Sequence, residues 1–239
     1  GANMDEVRAD NQAEPTAAAR QRVPRWLWLV VGLGLAYGAL GWLMERGTGA
    51  SRLWWLDPLL LVGFVVGLWR RGYSQFGGRW AGLTFIALSW LTGMLYELSL
   101  RTGATGFGGM HPDTATSFLL AQGYYFPYAL GGWWLARRYG YALPQLFLTG
   151  ALAALYEMAV SGAPKMLAAP DLWLLTPLVI GYFLAVYGLI LTMPLLFIDP
   201  RAVWAATSRP ISTWGVAWRA VGFGLLCWVA FGVWAEIVM

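Results

Sequence analysis

Residues 172–198 read LWLLTPLVIGYFLAVYGLILTMPLLFI, and no charged side chain interrupts them. The run exceeds the ~20 apolar residues that cross a bilayer as an α-helix. Six other segments approach or exceed that length. The sequence therefore predicts an all-α integral membrane protein with seven transmembrane helices. The predicted spans are residues 26–44, 53–69, 80–100, 114–136, 142–160, 172–198 and 215–237.

The composition supports the same class of protein. The chain has 239 residues, of which 59% are hydrophobic and 12% are charged. Soluble globular domains carry about twice that share of charge. Outside the spans lie short loops and a polar N-terminal segment. We predict that residues 1–24 form a flexible tail and that residues 25–239 form a single transmembrane domain.

The basic residues predict the orientation in the membrane. If the chain starts in the cytoplasm, most Lys and Arg residues fall on the cytoplasmic side, which is the positive-inside pattern. The C-terminus then lies outside, as expected for a multi-pass protein of a plasma membrane or bacterial inner membrane. Because the bases lie at span ends, the net charge of +4 does not indicate nucleic-acid binding. The cytoplasmic set is Arg8, Arg20, Arg22, Arg25, Arg70, Arg71, Arg79, Arg137, Arg138, Arg201, Arg209 and Arg219; the outer set is Arg46, Arg52, Arg101 and Lys165.

A repeated pattern suggests three helical hairpins followed by a seventh helix. The tripeptide Leu-Tyr-Glu occurs at residues 95–97 and again at residues 155–157, near the ends of two odd-numbered spans. Every odd span ends in a glutamate, and every even span carries a proline in its outer half. Asp57-Pro58 at the start of the second span is interpreted as a helix cap with a first-turn proline, or as a kink. The glutamates are Glu45, Glu97, Glu157 and Glu236; the prolines are Pro58, Pro127 and Pro177.

Glu97 and Glu157 are the predicted catalytic residues. A carboxylate in or just below a bilayer surface is costly, so it marks a candidate functional site. Arg101 follows Glu97 by four residues and can pair with it on one helix face. Ser161 takes the corresponding place after Glu157, so Glu157 has no such partner and, if desolvated, could carry a proton.

Aromatic and polar residues near these acids are predicted to bind the substrate. Trp90 lies mid-span, where its indole N–H needs a partner. Asp113 begins the fourth span and is interpreted either as a helix cap or as part of an outer site. The full set of substrate-binding candidates is Tyr96, Tyr156, Arg101, Asp113, Trp90, Tyr124, Tyr128 and Glu236.

The residue inventory narrows the chemistry. The chain has one histidine and one cysteine, so we expect no zinc, haem or di-iron centre, no other cofactor and no internal disulfide. No nucleophile elbow and no P-loop is present. Carboxylate acid–base chemistry in an aromatic setting remains. Carboxyl and aromatic side chains together suit the protonation of an isoprenoid double bond or epoxide.

Two acidic positions carry a resemblance to a known family. Tyr96-Glu97 resembles the Trp-Glu segment of integral membrane terpene cyclases, and Glu236 resembles the acid that these enzymes carry in a late span. The resemblance covers only these few residues. It implies seven spans in a chain of similar length and acid-initiated chemistry on an isoprenoid.

The sequence leaves three functions open. The first is a membrane-embedded enzyme that acts on a lipid or isoprenoid through Glu97 and Glu157. The second is a small transporter or channel for a cation or cation-coupled solute. The third is an accessory subunit of a membrane complex. The expected partners are membrane lipid and a small-molecule or lipid ligand, with a homo-oligomer or a membrane-complex partner left open.

Overall fold

The computed structural model describes residues 23–45, 55–69, 78–102, 111, 113–160, 173, 175–198 and 212–239. This part of the chain is helical and contains seven α-helices. Short 3-10 turns over Gly78–Trp80 and Met193–Leu196 extend the third and sixth helices. The helices are α1 (Arg25–Glu45), α2 (Leu56–Trp69), α3 (Ala81–Thr102), α4 (Thr114–Tyr139), α5 (Leu143–Val160), α6 (Thr176–Thr192) and α7 (Thr213–Val238).

Each predicted span coincides with one of these helices, and local chemistry fixes several ends. The Asp113 side chain caps α4 by accepting a hydrogen bond from the Thr116 amide. Gly140, with φ of 62°, takes the left-handed conformation that ends the same helix. Pro177 occupies the first turn of α6, where a proline N–H is not needed, so a first-turn proline and not a kink explains it. Pro127 lies inside α4.

Three helical segments in the described part of the chain are long and apolar enough to cross a membrane. They are Gly78–Ser99, Thr176–Leu196 and Thr213–Val238. Arg25–Gly41 and Leu56–Trp69 are apolar but shorter. These segments indicate a membrane protein, whereas seven spans and a cytoplasmic N-terminus remain predictions.

Helix α6 is the centre of the bundle and α7 lies at its edge. Within the apolar window of α6, 67% of the residues are buried inside the protein, compared with 17% for α7. The largest interfaces of α6 are with α5 and α1, and α3 also packs on it. Helix α7 packs on α4 and α5. Side chains that α6 presents are therefore brought against α1, α3 and α5 at once.

Small residues allow two of these helices to approach α6 closely. A Cβ atom added at Gly150 of α5 would lie 2.3 Å from the Tyr187 carbonyl oxygen of α6. A Cβ at Gly34 of α1 would lie 2.7 Å from the Ala185 Cβ, as expected for packing through small residues in a membrane bundle. The close contact at Gly150 places the end of α5, which carries Glu157, against the Tyr187 side chain.

Candidate functional site

Three carboxyls lie where α3 and α5 end and where α2 begins, and hydroxyl-bearing side chains of α3, α4 and α6 surround them. We call this group the tyrosine–carboxyl cluster. It lies at the end of the bundle that the charge pattern predicts to face outside. Its members are Asp57, Glu97 and Glu157, the hydroxyl residues Ser99 and Ser117, and Tyr96, Tyr124, Tyr125, Tyr128, Tyr182 and Tyr187.

Glu157 is held from the opposite helix by Tyr187. The Tyr187 hydroxyl donates a hydrogen bond to Glu157 Oε2. Tyr187 is fully buried, and it is fixed in turn by Tyr125, which is hydrogen-bonded to its side chain, and by Tyr128, whose hydroxyl donates to its backbone carbonyl at 3.2 Å. Glu157 itself is only half-buried. The carboxyl is therefore oriented from within the bundle.

Glu97 is the more deeply buried of the two predicted catalytic acids. It is 1% exposed, and the Ser117 hydroxyl of α4 donates to its Oε1 at 2.9 Å. The His111 amide donates to the Ser117 oxygen at 3.4 Å. Glu97 lies within electrostatic range of Glu157 and of Tyr125. The two glutamates of the repeated tripeptide therefore lie near each other in the bundle.

Asp57 adds a third carboxyl, which the sequence analysis interpreted only as a helix cap or kink. It is 1% exposed although it stands in the first turn of α2. Ser99 Oγ donates to Asp57 Oδ2 at 2.8 Å, and the Tyr182 hydroxyl donates to the same oxygen. The other oxygen, Oδ1, is buried and has no hydrogen-bond partner in the described part of the chain. Tyr182 belongs to α6 and Ser99 to α3, so Asp57 ties α2 to both.

Tyrosine rings fill the space between the carboxyls. Tyr96 packs edge-on against Tyr187, with ring centroids 5.6 Å apart, and against Tyr182 at 6.3 Å. Tyr124 packs edge-on against Tyr187 at 6.2 Å. The hydroxyls of Tyr96 and Tyr124 and the indole N–H of Trp228 are buried without a hydrogen-bond partner among the described residues. An aromatic surface with unused hydrogen-bonding groups can bind an apolar ligand that carries a polar or positively charged centre.

Six members of the tyrosine–carboxyl cluster were not among the predicted site residues: Asp57, Ser99, Ser117, Tyr125, Tyr182 and Tyr187. A hydroxyl residue in an apolar span has no periodicity that marks it as functional, and tyrosine is common in aromatic-rich spans. One signal was available for Asp57, because an acid that follows directly on an apolar run is as costly as the glutamates that were selected.

The remaining predicted site residues lie in several places. The Trp90 indole N–H donates to Gln122 Oε1 at 2.6 Å, which satisfies its need for a partner on α4. Tyr156 packs on Trp228 of α7 at 6.4 Å. Asp113 caps α4 and also accepts from the Thr116 hydroxyl at 2.8 Å. Glu236 is exposed near the end of α7. The side chain of Arg101, and with it the predicted pair with Glu97, lies outside the described residues.

The described residues include no group of three His, Cys, Asp or Glu side chains arranged to hold a metal ion. An open groove of about 380 Å³ lies at the other end of the bundle, where α1, α5 and α7 begin. Pro144 in this groove and Glu157 are separated by most of α5, so the groove lies about 20 Å from the cluster along a helix rising ~1.5 Å per residue. It is lined by Trp26, Pro144, Gln145, Leu148, Thr213 and Val216.

Comparison with known protein families, with curated proteins and with solved structures found no match for this chain. In its described residues the protein is a helical bundle with three helices long and apolar enough to span a membrane, and with three carboxyls and six tyrosines packed together between its helices.

Proposed function

We propose that the protein is a membrane-embedded enzyme that uses Glu157 and Glu97 for acid–base chemistry on a lipid or isoprenoid substrate. The observation that supports this most directly is the hydrogen bond from the buried Tyr187 to the half-buried Glu157, with Glu97 in electrostatic range. A general acid needs a fixed geometry, and the Tyr187 hydroxyl fixes that of the Glu157 carboxyl.

Glu157 is assigned the role of general acid. Its proton adds either to one carbon of a substrate double bond or to an epoxide oxygen, whose C–O bond then breaks; a carbocation forms at the neighbouring carbon, and Glu157 is left as a carboxylate. The rings of Tyr124 and Trp228, whose centroids are 6.0 Å apart, offer the negative faces that stabilise such a charge. Glu97 is assigned the role of base, which removes a proton from the cation or from an attacking water.

The aromatic surroundings favour an apolar substrate. Tyr156 and Trp228 are both partly exposed and pack on each other, and they lie beside the buried Tyr124. An unsaturated hydrocarbon chain can lie along such a surface, whereas a charged solute would lose its hydration there. An unsaturated membrane lipid or an isoprenoid fits this chemistry.

Cation-coupled transport is the second candidate, and one observation favours it. Asp57 and Glu97 are buried, Glu157 lies near Glu97, and no described residue forms an ion pair with Asp57 or Glu157. Carboxyls in that state can bind and release a proton or a metal cation. The same variants therefore need to be examined in a flux assay in proteoliposomes.

Native mass spectrometry combined with lipid analysis tests the proposal. Wild-type protein is purified gently and compared with Glu157→Gln and Glu97→Gln. Glu45→Gln is the matched control, since Glu45 also ends an odd-numbered span and carries the same change. We expect a specific lipid or isoprenoid to copurify with the wild type and the control, and its converted form to be lost in the two site variants.

Two results would overturn the proposed enzymatic function. One is an identical set of bound lipids, converted and unconverted, in all four proteins. The other is cation or solute flux by the wild type that Glu157→Gln abolishes while the bound lipids stay unchanged, which would establish transport instead.

A further inference from the structure

The groove at the start of α1, α5 and α7 changes from polar to apolar with depth. Gln145 and Thr213 line it from the first turns of α5 and α7. Leu148 and Val216 line it one turn further along the same two helices. Trp26, in the first turn of α1, is exposed and completes the wall. A groove of about 380 Å³ with this gradient suits a molecule that has a polar head and an apolar chain.

Arginine side chains stand on two of the three helices that form the groove. Arg219 lies in the second turn of α7, and its Nη1 atom reaches back to donate to the Gly215 carbonyl at 3.2 Å. Its guanidinium also lies 4.2 Å from the centre of the Tyr139 ring, which holds it near the start of α7. Arg25 is exposed and directly precedes Trp26 in α1. Both arginines thus lie beside turns that line the groove, and a guanidinium is well suited to bind phosphate.

The electrostatic field at the groove favours an anion. The groove lies at the N-termini of three helices, where free backbone N–H groups carry a partial positive charge. Among the described residues, the first two turns of α1, α5 and α7 contain no Asp or Glu. No acid of these turns therefore neutralises the positive charge that Arg25 and Arg219 add.

The Gln145 side chain adds a need for a hydrogen-bond donor. Its Oε1 atom is buried and has no hydrogen-bond partner among the described residues. A buried acceptor without a partner is costly, so a ligand hydroxyl that reaches this oxygen is stabilised there. A phosphodiester only accepts hydrogen bonds, whereas a headgroup that also carries a hydroxyl can donate one. The groove therefore favours a ligand with both groups.

We propose that the groove binds an anionic phospholipid whose headgroup carries a hydroxyl, such as phosphatidylglycerol. Arg25 and Arg219 hold its phosphate, and a headgroup hydroxyl donates to Gln145 Oε1. One acyl chain packs against Leu148 and Val216. The lipid joins α1, α5 and α7 at the opposite end of α5 from the proposed acid, so it is a bound lipid and not the substrate of the proposed reaction.

Native mass spectrometry of the full chain in a neutral detergent, titrated with one compound at a time, tests the site. Phosphatidylglycerol is compared with phosphatidylethanol, which has the same charge but no hydroxyl, and with zwitterionic phosphatidylcholine. Glycerophosphoglycerol supplies the same headgroup without acyl chains. We expect one phosphatidylglycerol to bind about tenfold more tightly than phosphatidylcholine and about fivefold more tightly than phosphatidylethanol. Glycerophosphoglycerol should not displace it.

Single substitutions separate the parts of the site. Arg25→Gln and Arg219→Gln should each weaken the binding of phosphatidylglycerol about tenfold, because each removes a charge-assisted hydrogen bond. Arg79→Gln is the matched control, since Arg79 is an exposed arginine in the turn before α3, a helix that does not line the groove. Gln145→Leu should remove the preference for phosphatidylglycerol over phosphatidylethanol. Glu157→Gln should bind phosphatidylglycerol as the wild type does.

Equal affinities for phosphatidylglycerol and phosphatidylcholine would overturn the proposal, as would equal losses in Arg25→Gln and Arg79→Gln. Displacement by glycerophosphoglycerol at equal concentration would reject a lipid in favour of a soluble phosphodiester. Circular dichroism identifies a variant that fails to fold, and Arg25→Gln, which changes an exposed side chain, then decides the question alone. Because binding is measured apart from lipid conversion, this site and the proposed enzyme can each fail while the other stands.

Discussion

Tyr187 and Glu157 face each other across the contact between α5 and α6, and the tyrosine hydroxyl donates to the carboxyl. One residue, Gly150, makes this approach possible, because its missing side chain leaves room for the Tyr187 backbone. The geometry of the proposed acid thus depends on a glycine two turns away on the same helix.

Replacing the Tyr187 hydroxyl should cost stability. In Tyr187→Phe the Glu157 carboxyl loses its buried donor, and a buried polar group left without a partner costs about 1–3 kcal/mol. We expect the free energy of unfolding, measured by titration with a denaturing detergent, to fall by this amount. A double-mutant cycle with Glu157→Gln should show a coupling between the two sites. Additive losses in the cycle would mean that the two side chains do not interact.

Gly150→Ala should separate α5 from α6. The new Cβ would lie 2.3 Å from the Tyr187 carbonyl oxygen, and backbone cannot give way as a flexible side chain can. Overpacking of this kind destabilises a protein by about 1–3 kcal/mol. The control is Gly222→Ala in α7, where no atom lies within 4 Å of the added Cβ. The prediction is wrong if the two alanine variants unfold at the same temperature.

Asp113 should behave as a helix cap. Asp113→Ala removes the acceptor for the Thr116 amide and hydroxyl and should cost about 0.5–2 kcal/mol, whereas Asp113→Asn should keep most of that stability. Thermal unfolding of the two variants measures the difference. A loss of ligand binding in both variants, without a change in stability, would instead assign Asp113 to the outer site.

The two ends of α7 should be accessible from opposite sides of the membrane. Thr213 and Met239 are both exposed, and the positive-inside pattern predicts Thr213 in the cytoplasm and Met239 outside. Labelling of intact cells with a membrane-impermeant thiol reagent should modify Met239→Cys and spare Thr213→Cys. Cys227 is buried, so its background should be low. The reverse pattern would invert the predicted topology.

The helices could be predicted from the sequence, but most of the site could not. Length and apolar content alone located every described helix, and the start of α4 was predicted at the residue where it occurs, because Asp113 is a strong capping signal. Glu97 and Glu157 were selected because charge is costly in lipid. The energetic cost of one buried charge does not show which helices pack together. The partners of the two acids, Tyr187 and Ser117, lie on other helices, so only the folded bundle identifies them.

The environment of Asp57 could not be predicted from its local sequence either. Its local sequence fits a helix cap, whereas the structure places it in the first turn of a helix that begins at Leu56, with its side chain bonded to other helices. Its hydrogen-bond donors are Ser99 and Tyr182, which lie on two other helices.

The central position of α6 also affects how the protein is made. The largest interface of α1 is with α6, yet α2, α3, α4 and α5 lie between these two helices in the chain. The contact between α1 and α6 therefore forms only after α6 has been synthesised, and until then the small-residue face of α1 is not covered by α6. During this interval the nascent chain is open to mispairing with other membrane proteins.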